Sequence, residues 1–150
     1  MNEDQLLDKL HIEGKTLATI NRRSFAFFID ELIISILFIV IFSDKFSQLQ
    51  TPEMINAFIQ SWVVGILFMK VAYQSVFVWM YGATLGKMAM KIKVVSMDDF
   101  EKPTFGFSVI RAFFRVAGEM LFYIGFIVAF FSKARLTWHD RFAKTLVIDV

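Results

Sequence analysis

Two stretches of this chain are too long and too apolar for an ordinary soluble fold. Phe25 to Phe42, FAFFIDELIISILFIVIF, runs 18 residues with two carboxylates near its start. Ala57 to Tyr81, AFIQSWVVGILFMKVAYQSVFVWMY, carries a single internal charge, Lys70. About 20 mostly apolar residues cross a bilayer as a helix, so both runs read as transmembrane helices. A third run, Phe105 to Phe131, holds Arg111, Arg115 and Glu119 in its first half and no charge in its second. The chain is 57% hydrophobic and 20% charged. Those totals are close to a soluble protein's, so the distribution decides the class. Charges gather between 1 and 23, 87 and 102, and 132 and 149, and the runs between are nearly bare. A net charge of +2 is too small to argue for nucleic acid, and the absence of cysteine excludes disulfides and thiolate chemistry.

The first run does not read as a cleaved signal peptide, because the segment before it is long and carries four acids beside its bases. Residues 1–20 could form a short interfacial helix with Leu6, Leu7 and Leu10 on one side. Lys and Arg stand before the first run and after the second, with only Lys45 between. Such asymmetry places the N-terminus in the cytoplasm and the 43–56 loop outside. Lys91 to Val95, KIKVV, and Thr145 to Val150, TLVIDV, read as short strands rich in β-branched residues. If they pair, the third run enters and leaves on one side. It would then be a re-entrant hairpin, an amphipathic helix over 105–117 and a half-helix over 120–131, with breaks at Gly118 and Gly125. The rival is a single third crossing, and the hairpin is the expectation. The expected fold is thus an all-α membrane protein with two full transmembrane helices, a third membrane-embedded segment and a small cytoplasmic two-stranded β unit, in one domain over 1–150.

Three segments, in order, resemble the RDD family of bacterial membrane proteins. NRRSFAFFIDELI resembles the family's opening, YGATLGKMAMKIKVV its G-x-T-x-G-K segment and following strand, and RLTWHDRFAKTLVI its closing R-x-T-x-H-D-x-x-A-x-T segment. The resemblance covers residues 20–150 and implies a core over 21–150. By it, Arg23 is the family Arg, Asp30 the first Asp and Asp140 the second. Gly82, Thr84, Gly86 and Lys87 match the central segment, and Arg111, Arg135, His139 and Thr145 match positions around it. Lys144 stands where the family usually has Gly, Leu136 where it usually has Gln, and Asp98-Asp99 replaces its Asp-x-Asp-Gly turn. The resemblance implies the bacterial inner membrane and points to transport, including cation/proton antiport.

Asp30 is the most informative residue. An ionised Asp near a membrane helix centre costs about 2.5–3.5 kcal/mol on insertion scales. Pairing, protonation or a wet cavity lowers that cost. It reads either as a cation or proton site or as half of an ion pair that locks helices. Seven helical residues make nearly two turns, so Arg23 and Asp30 share a face with Phe27 between them. Glu31 points about 100° away and reads as a second polar contact. Lys70, at similar depth on the returning helix, is Asp30's natural partner. Lys70, Tyr73, Gln74 and Tyr81 make a polar stripe that either serves the site or binds helices together. Arg111, Arg115 and Glu119 recur at i, i+4 and i+8. Their plainer reading is a basic face toward anionic headgroups, and the sharper one sets them against Asp30 or Asp140. His139-Asp140 has too few ligands for a metal site and reads as a network in which Asp140 holds basic groups. Gly82 to Lys87 lacks P-loop spacing and reads as a turn, with Lys87 and Lys91 at headgroup level.

No nucleophile–base pair and no metal or cofactor set appears, so an enzyme is not expected. Two functions remain: a transporter-like protein handling a cation or proton at Asp30, or a scaffold or accessory subunit whose buried charges set helix packing. The partners implied are the bilayer with its anionic headgroups, a cation or proton, and a second copy in a homo-oligomer. Few crossings and no repeat are thin for a lone carrier.

Overall fold

The computed structural model of the chain describes residues 3–120 and 131–150. The second half-helix expected over 120–131 falls almost wholly outside them, as does the break at Gly125. The order is α1 (Glu3–Ile12), α2 (Ile20–Ile41), α3 (Ser43–Phe46), α4 (Pro52–Ser61), α5 (Val63–Tyr81), α6 (Leu85–Ala89), β1 (Ile92–Ser96), α7 (Phe105–Met120), α8 (Trp138–Phe142) and β2 (Thr145–Asp149).

The first apolar run lies in α2 up to Ile41, with Phe42 as its C-cap, and the start of α2 is set by Thr19, an N-cap accepting from the Arg22 N–H. Its 22 residues rise about 33 Å, enough to cross a bilayer. The second run is not one helix. It is broken at Trp62, where φ −104° and ψ 7° end α4 and start α5. The indole lies so close over Gly65 that a Cβ there would stand 2.9 Å from its ring. Phe38 of α2, Phe42 between α2 and α3, Phe46 of α3, Phe58 of α4 and Trp62 form one aromatic cluster, with Phe42 and Trp62 centroids 4.5 Å apart. That cluster joins the far ends of the two long helices.

Both long helices are apolar on the outside. Only 22% of the apolar stretch of α2 and 17% of that of α5 is buried within the protein. In water such surfaces would drive association; in hydrocarbon they cost nothing. α7 is inverted in the same sense. Its buried face carries Ser108, Arg111, Ala112 and Arg115, and its exposed face carries Ile110, Phe113 and Met120. The guanidinium groups expected at the headgroups therefore point into the protein. α7 also continues through Gly118, so no break occurs there.

The two expected strands pair antiparallel, with Val94 opposite Val147 and Ile92 opposite Asp149. A two-stranded sheet is marginal alone, and here both faces are covered. Leu146 and Ile148 meet Leu6 and Leu10 of α1 together with Ala134 and Leu136. Val94 and Val147 meet Ala26 of α2 and Val78 of α5. Residues 1–20 thus supply a helix that packs on the sheet, and the chain from Thr16 to Ala18 runs beside β2, the Asp149 N–H donating to the Thr16 carbonyl at 2.9 Å. Because β1 follows α6 and β2 follows α8, the chain before and after the third run meets in one sheet.

The turns before both strands need left-handed backbone, at Lys91 (φ 55°) and Lys144 (φ 47°). A side chain in that region costs about 1–2 kcal/mol, which Gly avoids at some cost in unfolded-chain entropy. Lys144→Gly is expected to stabilise the protein by up to about 1 kcal/mol, read from thermal unfolding in detergent. A lower melting temperature would contradict this account of the turn.

Candidate functional site

Helix α6 is short, but it sets the position of the first charged centre. Gly82 ends α5 at φ 71°, a left-handed cap that glycine takes without strain. Thr84 then stands at the start of α6. The Asp30 carboxylate, buried to 1% exposure, receives this segment. Its Oδ1 accepts from the Gly86 N–H at 2.9 Å and from the Tyr73 hydroxyl at 2.9 Å. Its Oδ2 accepts from the Thr84 hydroxyl at 2.7 Å. Tyr73 in turn accepts from the Leu85 N–H at 3.1 Å. Gly86 must be glycine for this approach, since a Cβ there would lie 2.1 Å from the Ala26 carbonyl and 2.8 Å from Asp30 Oδ1.

Two cations stand 4.0 Å from the same Oδ2, Lys87 Nζ and Arg115 Nη1. Neither hydrogen-bonds it. Lys70, the expected partner of Asp30, goes elsewhere: its ammonium bridges Glu31 at 2.6 Å and Glu119 at 2.8 Å. Glu119 also lies 3.6 Å from Arg115 Nε. The charges therefore alternate in sign along a chain, Lys87, Asp30, Arg115, Glu119, Lys70, Glu31. Its last members, Lys70 and Glu31, face a groove of about 460 Å³ among α2, α4 and α5, whose lining includes Ile34, Phe38, Ile59 and Ile66. Lys87, expected at headgroup level, turns its side chain into the protein. It is buried, and burial, with Arg115 nearby, pushes its ammonium down to about 7 against the pull of Asp30.

The second centre is Asp140, fully buried. Arg23 Nη2 donates to its Oδ2 at 2.5 Å, and Arg111 Nη1 donates to its Oδ1. Arg111 also donates to the Thr145 hydroxyl at 2.7 Å, tying α7 to the start of β2. Thr137 and Asp140 form a capping box on α8. Burial pushes the Asp140 carboxyl up, but Arg23 and Arg111 outweigh it and hold it well below the usual range. His139 lies beside it, and burial keeps its imidazole well below its ordinary value, hence neutral at pH 7. Arg135 donates to the Leu17 and Ala18 carbonyls at 3.3 Å each, and its own carbonyl accepts from Arg23 at 2.6 Å.

Arg23 thus serves Asp140, although it shares a helical face with Asp30. Arg111 and Arg115, one turn apart on α7, serve one aspartate each, and Arg115 also stacks over Phe27 at 4.8 Å. Thr137 carries a role the sequence reading missed. Its signal was available, a Thr three residues before an acid at the start of a helix. Among the described residues no three His, Asp or Glu side chains come together as a metal would require.

Asp140→Asn would leave two buried arginines facing a neutral amide. Breaking a buried pair by removing one partner costs about 3–5 kcal/mol. The expected result is a large fall in melting temperature, and wild-type thermal stability for this variant would remove Asp140 from its central place.

The model of the RDD family matches residues 17–144. The chain is 31% identical over 129 residues to the uncharacterized membrane protein YteJ of Bacillus subtilis (strain 168), covering 84% of this chain and 77% of that protein. No solved structure matches. The three motif segments, two outwardly apolar helices and two buried aspartates, one clamped by arginines and one by the central segment, thus have one explanation: the chain is a membrane protein of the RDD family.

Proposed function

We propose that this protein is a transporter-like component of the bacterial inner membrane that handles a proton or a cation at Asp30, and that it is not an enzyme. The observation that supports this reading most is the alternating chain of charges leading inward from the α2–α4–α5 groove to Asp30 and Lys87. A carboxylate in hydrocarbon is expensive, and ionisable groups strung through a membrane protein mark paths for ions or protons. In this reading the N-terminus, the β1–β2 sheet and the 131–150 segment face the cytoplasm. The third run then enters and leaves on that side. The pairing of β1 with β2 supports it, because a single third crossing would put the two strands on opposite sides.

A second reading rests on the three hydrogen bonds that fill the Asp30 oxygens. They suit a latch that holds α2 to α6 in a scaffold or accessory subunit. Asp30→Asn separates the two. For an ion site, the variant accumulates normally and pH- or cation-driven flux in proteoliposomes falls at least tenfold. For a latch, it loses thermal stability and flux is no guide. A variant with unchanged stability and unchanged flux would refute both.

Topology has its own test, since the sequence holds no cysteine to confuse labelling. Cysteines placed singly at the exposed positions Gln50, Asp99 and Lys133 should divide. An impermeant thiol reagent added to intact cells is expected to label the Gln50 variant alone. Labelling at Lys133 would overturn the re-entrant arrangement.

A further inference from the structure

Lys87, Thr84 and Asp30 stand in line as donor, intermediary and acceptor. Lys87 Nζ donates to Thr84 Oγ1 at 3.4 Å, and the same hydroxyl donates to Asp30 Oδ2 at 2.7 Å. The direct Nζ–Oδ2 distance of 4.0 Å is too long for a hydrogen bond, so the hydroxyl links two opposite charges. All three side chains are buried. The geometry is fixed from both sides, because Thr84 stands at the start of α6 and the Gly86 N–H and Tyr73 hydroxyl hold the other carboxylate oxygen.

The surroundings oppose the ammonium. Facing it are Asp30 and Arg23 from α2 and Arg111 and Arg115 from α7, with Tyr73 of α5 on the carboxylate. Arg115 opposes it most, and Arg111 and Arg23, both paired with Asp140, add to that against the one carboxylate of Asp30. Arg115 is itself short of acceptors, since its two terminal nitrogens make no hydrogen bond among the described residues. A charge-separated Lys87–Asp30 pair is thus held in a place that disfavours one of its charges.

We propose that Lys87, Thr84 and Asp30 form a proton relay, in which one proton passes between the lysine nitrogen and the aspartate oxygen through the threonine hydroxyl. The proposal rests on the proton-handling reading of Asp30 and names the groups that carry the proton. In the forward step an Nζ–H bond of Lys87 breaks, its electron pair stays on nitrogen, and the proton joins Thr84 Oγ1. The proton already on Oγ1 leaves for Asp30 Oδ2. The products are a neutral amine, an unchanged alcohol and a neutral carboxylic acid, with charge and proton count conserved. Arg115 then faces a carboxylic acid in place of a carboxylate, so the position of the proton alters the hold between α2 and α7.

Infrared difference spectroscopy of the purified protein tests this without any transport assay. The expected signal is a protonated-carboxyl C=O band that Asp30→Asn abolishes, Lys87→Met shifts or removes, and Thr84→Val removes while Thr84→Ser restores it. Thermal unfolding gives a second readout. The folded lysine binds fewer protons than the unfolded one between about pH 7 and pH 10.5, so the wild type gains stability as pH rises through that window. Lys87→Met should lack the gain. If Thr84→Val does not accumulate, the Lys87→Met comparison with wild type decides alone. A wild type with no protonated-carboxyl band, or a band indifferent to Lys87→Met, overturns the relay. Lost flux in Asp30→Asn with no such band would leave the ion-site reading standing without the relay, and the band with no flux in any variant would do the reverse.

Discussion

The stripe of charge on α7 is the constraint the rest of the structure answers to. Arg111, Arg115 and Glu119 repeat every four residues and face inward, and each meets an opposite charge on a different element. Arg111 holds Asp140 of α8, Arg115 faces Asp30 of α2, and Glu119 holds Lys70 of α5. The outer face of the same helix is aromatic and aliphatic. A helix of that kind has no favourable orientation in water, where its phenylalanines would be wetted and its arginines desolvated. In hydrocarbon the preference reverses, since lipid is as apolar as the outer face and offers the charges nothing. Sequestering the charges then becomes what drives α7 onto its neighbours. Buried pairs of this kind are not strong sources of stability, because desolvation offsets much of their attraction. They are strict about register. A shift of α7 by one turn would set Arg111 against Asp30 and Arg115 against Glu31 and Lys70, leaving Asp140 without its α7 partner.

The same logic explains why short α6 is so closely held. Asp30 cannot reach solvent from the middle of α2, so the protein brings donors to it. A backbone N–H, a threonine hydroxyl and a tyrosine hydroxyl satisfy three of its acceptor sites. Two of these come from the Gly82–Lys87 segment, which can approach only because Gly86 presents no Cβ to the Ala26 carbonyl. The segment is set by a carboxylate inside the membrane and leads straight into β1.

Much of this was legible in the sequence, and the limits of legibility are physical. The long runs, the strand pair and the glycines of the central segment were readable because each reflects a local rule of hydropathy, β-branching or backbone freedom. The importance of Asp30 and Asp140 was also readable, since an acid in an apolar helix or beside a cluster of bases demands a partner. Which partner was not. Helical spacing put Arg23 beside Asp30, and depth counting offered Lys70, but both arguments treat helices as parallel rods. In the structure α2 rests on α6 and α5 lies along α7, so Lys70 meets Glu31 and Glu119, and Arg23 turns to Asp140. The burial of Lys87 was equally hidden. A lysine following a glycine turn next to a membrane helix suits headgroups as well as a core, and only the close seating of Gly86 on Ala26 carries it inward. The break at Trp62 has a weaker signal still, a tryptophan three residues before a glycine within an otherwise continuous apolar run.

The sheet and the buried charges form one mechanical unit. β1 follows α6 after two residues, and β2 begins at Thr145, whose hydroxyl accepts from Arg111. Arg22 adds a link at 2.9 Å to Asp149 at the other end of β2. Each end of β2 is therefore tied to a helix by an arginine, Arg111 of α7 or Arg22 of α2, and the sheet's inner face rests on Ala26 and Val78 of the two long helices. A change in the charge of Asp30 would alter the hold on Gly86 and Thr84 first. Because α6 and β1 are nearly contiguous, that change has a short and stiff route to the sheet. A loss of charge at Asp140 would release Arg111 and disturb the sheet from the β2 side. The two aspartates thus bear on the same small sheet from opposite strands, Asp30 through α6 and β1 and Asp140 through Arg111 and β2.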